Sequence, residues 1–106
     1  MNNLEARLAE LAALQQTITY GALARDLAIP GPGAIAKLTQ ALEMLMEVDA
    51  AADQPLRAAL CAGRLAQGLP ATGFFEKAAS LGYDLGENPV AFVQQHRQKL
   101  WASSEN

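Results

Sequence analysis

The stretch Thr19-Tyr20-Gly21-Ala22-Leu23-Ala24-Arg25-Asp26-Leu27-Ala28-Ile29-Pro30-Gly31-Pro32-Gly33 decides how this chain folds. Its first half predicts a short helix over about 20–27. Tyr20, Leu23, Ala24 and Leu27 recur at spacings of three, one and three, which lays them along one helical stripe. Thr19 stands where a hydroxyl can accept from a first-turn amide and cap the helix. The second half cannot continue it. Pro30 and Pro32 lack an amide proton and fix φ, while Gly31 and Gly33 permit a sharp change of direction. Beyond the corner a longer helix is predicted over about 33–49. Ile35, Leu38, Leu42, Leu45 and Met46 form its apolar stripe, with Ala34 and Ala41 beside it, and Lys37, Gln40, Glu43 and Glu47 fall on the polar side. Two helices joined by such a turn have the organisation of a helix-turn-helix, here over about 19–49.

Outward from this unit, residues 3–16 read as a helix that stacks Leu4, Leu8, Leu11 and Leu14 on one face. Asn2 and Glu5 have the spacing of a capping box. Toward the C-terminus a helix is predicted at about 74–81, with Phe74, Phe75, Ala78 and Leu81 apolar and Gly82 as its stop. Asn88-Pro89 opens a last helix over about 89–102. Its expected inward face is Val90, Val93, Leu100 and Trp101, with Phe92 beside them, and His96 is expected on the exposed side. Residues 56–72 admit two readings. Leu56–Ala62 fits a half-buried strand with 64–70 as its return loop. A helix capped by Asp53, entered through Pro55 and stopped at Gly68 fits as well, and local propensity slightly favours it.

Composition bounds the rest. A chain of 106 residues is sized for one domain, 1–106, and 51% hydrophobic with 18% charged residues describes a folded chain rather than a disordered one. One cysteine, Cys61, excludes an internal disulfide, and with a single histidine it leaves no zinc ligand set. No metal or other cofactor is therefore expected. No apolar run approaches the roughly 20 residues of a membrane span, and the first residues do not read as a signal peptide. The expected compartment is the cytoplasm. The net charge of −3, from eight basic and eleven acidic side chains, argues against strong nonspecific binding to DNA but leaves room for a local basic patch.

The segment Thr19-Tyr20-Gly21-Ala22-Leu23-Ala24 resembles the threonine-tyrosine-glycine entry to the helix-turn-helix of the alkylguanine DNA alkyltransferases and alkyltransferase-like proteins. Those proteins carry a reactive cysteine within proline-cysteine-histidine-arginine, whereas the counterpart here is Leu60-Cys61-Ala62-Gly63-Arg64, without the proline or the histidine that activates the thiol. Where the family places an arginine near the start of the recognition helix, this chain has Ala36 by register. The repair activity is therefore not carried over. Over about 17–100 the chain is more similar to a set of small bacterial winged-helix-like proteins through Tyr20–Ala24, Arg57–Leu60 and Gly68–Phe75. That resemblance implies a mainly α fold with a small β hairpin. It tips 56–72 toward a strand and wing, followed by C-terminal helices over about 74–102, and brings no biochemical role with it.

On this reading the helix beginning near Gly33 is the recognition helix, and its N-terminal residues face base edges. Lys37, Gln40 and Thr39 are the candidate base-facing residues. Arg25, Arg57 and Arg64 are candidate phosphate contacts from the first helix and the wing. The leading expectation is a regulatory or nucleic-acid-binding module, acting weakly or as a homodimer. The second is a protein-interaction module, with Phe74 and Phe75 as a candidate patch, although aromatics at helical spacing more often belong to the core. An alkyl-acceptor role through Cys61 is a distant third: a lone cysteine in an alanine- and leucine-rich segment most often behaves as a small buried apolar residue, and no enzyme activity is expected.

Overall fold

The computed structural model describes residues 3–63 and 68–103. The element order is α1 (Leu4–Ala13), β1 (Ile18–Thr19), α2 (Tyr20–Asp26), α3 (Ala34–Ala51), a 3₁₀ turn (Arg57–Leu60), β2 (Cys61–Ala62), α4 (Thr72–Ser80) and α5 (Pro89–Ser103). The fold is mainly helical, with a two-stranded parallel sheet in which Ile18 pairs with Cys61 and Thr19 with Ala62.

The sheet departs from the expected hairpin. β2 pairs with the chain entering α2 rather than with a strand that follows it, and a parallel pair cannot be joined by a tight turn. Neither reading of 56–72 holds as stated: there is no helix capped by Asp53, only a 3₁₀ turn behind Leu56, and the strand is two residues long. Helical chemistry wins at Arg57–Leu60, and extended backbone begins only at Cys61. The Gly63 amide donates to the Leu69 carbonyl at 2.7 Å, which closes the following loop at its base. Residues 64–67 of the wing candidate, Arg64 among them, lie outside the described residues.

α1 to α4 all end in the same way. The residue after the C-cap takes positive φ, at Gln15, Ala28, Asp53 and Gly82. At each end that residue donates to the carbonyl three positions earlier, and its successor donates to the carbonyl five positions earlier: Gln16 to Leu11, Ile29 to Ala24, Gln54 to Asp49 and Tyr83 to Ala78. This is the paired bonding of a Schellman end, which satisfies carbonyls the helix itself cannot. Only Gly82 is the residue type that this geometry favours. At the corner Gly31 and Gly33 also have positive φ, so Ala28 through Gly33 breaks the helical path and turns the chain into α3. At the other helix starts, Thr19 Oγ1 accepts from the Ala22 amide at 3.2 Å, as its position predicts, and Asn88 Oδ1 accepts from Ala91 at 3.4 Å with Pro89 at the first helical position. The capping-box partner Asn2 lies outside the described residues, and Glu5 instead accepts from Arg57.

The core is one cluster. Leu4, Leu8 and Leu11 of α1 meet Leu23 of α2, Leu38, Leu42 and Met46 of α3, Leu56 and Leu60 around the 3₁₀ turn, Phe74 and Ala78 of α4, and Phe92 and Val93 of α5. Leu14, expected on the α1 stripe, is instead exposed beyond the helix end. Val90 is partly exposed, so the inward face of α5 is Phe92, Val93, Leu100 and Trp101 together with His96 and Arg97.

Candidate nucleic-acid interface

α2, the corner and α3 place the proposed recognition surface at the N-terminal end of α3. The buried side of α3 is Leu38, Leu42, Met46 and Asp49. The opposite side, at about 100° per residue, carries Lys37, Gln40, Met44, Glu47, Val48 and Ala51, all exposed. Lys37 and Gln40 therefore face solvent, as the polar stripe predicts. Thr39 is half-buried, and its Oγ1 donates to the Ile35 carbonyl at 2.8 Å, so its hydroxyl proton is committed to its own helix. Arg25 is exposed in the last turn of α2.

Arg25 also lines a cleft of about 740 Å³ with Thr19, Tyr20, Gly21, Ile35, Gly63 and Ala71 among its walls. The cleft lies between the start of α2, the start of α3 and the loop that leaves β2. Tyr20 braces it: its hydroxyl accepts from the Ala71 amide at 3.1 Å and ties α2 to the entry of α4. Burial pushes the Tyr20 hydroxyl up to about 12, so it stays protonated and keeps a proton to donate. No side chain caps the N-terminus of α3, where Gly33 stands at the cap position. Its first amides are the positive end of the helix dipole.

The other basic candidates are placed differently. Arg57 is not available to phosphate. Its Nε donates to both oxygens of Asp49 at 3.1 and 3.2 Å, its Nη2 lies 2.9 Å from Asp49 Oδ1, and its Nη1 donates to Glu5 Oε1 at 2.9 Å. Burial alone would lower its pKa, but the bonds to Asp49 and Glu5 outweigh burial and raise it. It also sits at the wrong end of α3. Lys37 and Asp49 are twelve residues apart, about 18 Å along the helix axis, so Arg57 does not extend a stripe from Lys37. Phe74 belongs to the core, and Phe75, half-buried, meets it edge-on at 5.2 Å, so the pair does not form an exposed platform.

Cys61 is fully buried, and burial pushes its thiol up to about 12, against a smaller opposing effect of Arg97. At neutral pH almost no thiolate forms there.

Three residues matter that the sequence did not single out. Asp49 is a buried carboxylate that accepts from the Arg57 side chain and from its backbone amide at 3.0 Å. His96, expected on the surface, is half-buried, and its Nδ1 accepts from the Leu56 amide at 2.9 Å. Arg97 donates to the carbonyls of Ala59 at 2.7 Å, Gly68 at 2.8 Å and Cys61 at 3.5 Å, holding both ends of the loop after β2. A helical phase taken from Val93 would have found the last two, because 96 and 97 return to the face of 93 and 100.

No protein-family model matches the chain, and comparison with curated proteins and with solved structures finds no similar protein. Among the described residues no group of histidine, cysteine and carboxylate side chains is arranged to hold a metal ion, and no helix is long and apolar enough to cross a membrane.

Proposed function

We propose that the chain is a small helix-turn-helix module, winged-helix-like in its use of the loop after β2, that binds nucleic acid weakly through the corner between α2 and α3. One observation carries the reading. Among the described residues, Arg25 and Lys37 make neither an ion pair nor a side-chain hydrogen bond, whereas Arg7, Arg57, Lys77, Arg97 and Lys99 are engaged within the fold. The uncommitted cations thus flank the corner and the uncapped start of α3, where a phosphate gains from both charge and backbone amides. Of the acidic side chains farther along α3, Glu47 is paired with Lys77 at 3.4 Å. Gln40 is the candidate for a base edge, since its amide both donates and accepts.

Fluorescence anisotropy of a labelled mixed-sequence duplex tests the reading. At 50 mM salt the intact protein should bind with an affinity that falls steeply as salt is raised. Arg25→Ala and Lys37→Ala should each flatten the log–log salt dependence by about one. An intact protein that leaves the anisotropy of duplex and single strand unchanged at low salt sinks it.

A second reading has its own support. Met44 and Val48 are 66% and 57% exposed on the outward face of α3, one turn apart. An apolar pair on the polar side of a helix suits a protein partner or a second copy better than a phosphate backbone. Sedimentation or light scattering showing a monomer at high concentration, unchanged by Met44→Lys, excludes the second copy.

A further inference from the structure

Two consecutive amides at the entry to the 3₁₀ turn are capped by side chains from opposite sides. The Leu56 amide donates to His96 Nδ1 of α5 at 2.9 Å, and the Arg57 amide donates to Asp49 Oδ2 of α3 at 3.0 Å. Leu56 and Ala58–Leu60 of the turn are fully buried or nearly so, and β2 follows directly. An Nδ1 that accepts a hydrogen bond carries no proton, so this contact requires the neutral imidazole with its hydrogen on Nε2. The imidazolium has two donors and no acceptor. Protonation would set the Nδ1–H against the Leu56 N–H and leave that buried amide unsatisfied.

We propose that His96 is an acid-sensitive latch, whose protonation releases Leu56 and loosens the 3₁₀ turn and the parallel strand pair from α5. The ring has a route to solvent, because it lines a cleft of about 280 Å³ with Asp53, Gln54, Tyr83, Asp84, Gln95 and Lys99. Phe92 and Tyr83 meet it edge-on, at centroid distances of 4.5 and 5.7 Å, and fix its orientation. The charged and titratable groups around it come from each packed element. Asp49 and Asp53 stand on α3 and its end, Arg57 on the turn with its charge engaged by Asp49, Tyr83 and Asp84 on the α4–α5 connection, and Arg97 and Lys99 on α5 itself.

Burial lowers the His96 pKa below its ordinary 6.5, Lys99 lowers it further and Asp49 opposes both. The sign for stability follows. Above 6.5 both folded and unfolded chains hold a neutral ring, and the latch contributes fully. Below 6.5 the unfolded chain takes up the proton first, so stability falls with pH until the folded ring also protonates. The latch is independent of nucleic-acid binding.

The test uses the intact chain without ligand. Proton–nitrogen NMR from pH 8 to 4.5 should show the His96 ring titrating below 6.5, with the Leu56 amide resonance moving along the same curve. Between pH 8 and 5 the urea midpoint of the natural protein should fall further than that of His96→Asn, whose side-chain oxygen accepts near the Nδ1 position without titrating. The carboxylates contribute to both proteins alike. A ring that titrates at or above 6.5, a Leu56 amide indifferent to it, or equal midpoint changes in the two proteins overturns the latch. The NMR titration decides the matter even where the variant folds poorly.

Discussion

Arg25 and Arg57 are the same residue type with opposite fates. Arg25 ends α2 in open solvent beside a cleft, without a partner among the described residues. Arg57 is three-quarters buried, clasped by Asp49 and by Glu5 from α1. The first belongs to the corner, where Arg25 and Lys37 have no side-chain partner among the described residues although neighbouring Asp26 is paired with Arg7. The second belongs to a joint where Asp49, Arg57, His96 and Arg97 satisfy each other or the backbone. The contrast teaches that a basic residue read from sequence is a ligand-binding candidate only after the fold has failed to use it. Charge at the joint organises the chain, whereas Arg25 and Lys37 at the corner have no side-chain partner among the described residues.

The largest expected effect lies at the joint. Asp49→Ala strips the buried one of two partners from a mostly buried guanidinium, leaving Glu5, and the cap from the Arg57 amide, and should cost about 3 kcal/mol of unfolding free energy in a urea titration. A cost near zero would mean that the joint does not hold the fold and that the two regions differ less than the geometry says. Next, Arg97→Met keeps the aliphatic stem but removes the donors to Ala59 and Gly68. It should destabilise by about 2 kcal/mol and speed hydrogen exchange at the Gly63 amide, which closes the same loop. Unchanged exchange at Gly63 would release Arg97 from that role.

At the corner stability should be spared while binding suffers. The double variant Arg25→Ala/Lys37→Ala should leave the urea midpoint where it was, since neither side chain has a partner to lose, yet weaken duplex binding roughly tenfold at low salt. A clear loss of stability would show that these cations are also used by the fold. The smallest effect is a gain. Ala28 holds positive φ at the end of α2, so Ala28→Gly should stabilise by roughly 0.5–1 kcal/mol once relief of αL strain is set against the added chain entropy. Calorimetry showing a loss would place the strain elsewhere in the corner.

Much of this was legible in the sequence. Leucine spacing located α1 and α3, Thr19 and Asn88-Pro89 marked two helix starts, and the Gly/Pro corner was read from residues that cannot be helical. The left-handed geometry of the helix ends at Gln15, Ala28 and Asp53 was not legible, because αL geometry normally selects glycine and these ends are held by backbone bonds that any residue can make. The parallel pairing of Ile18–Thr19 with Cys61–Ala62 is two residues long, too short for an alternating pattern to register. At the candidate site, Lys37, Gln40 and Arg25 stand exposed as their positions implied. The ion pairs of Arg57 were not legible because Glu5 is 52 positions away in sequence and Asp49 reaches it from α3, and polarity alone put His96 outside. Both inward polar residues of α5 lie in phase with Val93, but a stripe interrupted by histidine and arginine does not announce itself as a buried face.

On the proposed function, the corner with Arg25 and Lys37, and not the outward apolar face farther along α3, meets the ligand. Chemical-shift mapping of the amide spectrum during titration with a short DNA duplex at low salt tests it most directly. Shifts concentrated at 19–25 and 33–40, with 44–52 and 56–62 undisturbed, are the predicted result. Shifts centred on Met44 and Val48, or none at all, would contradict it.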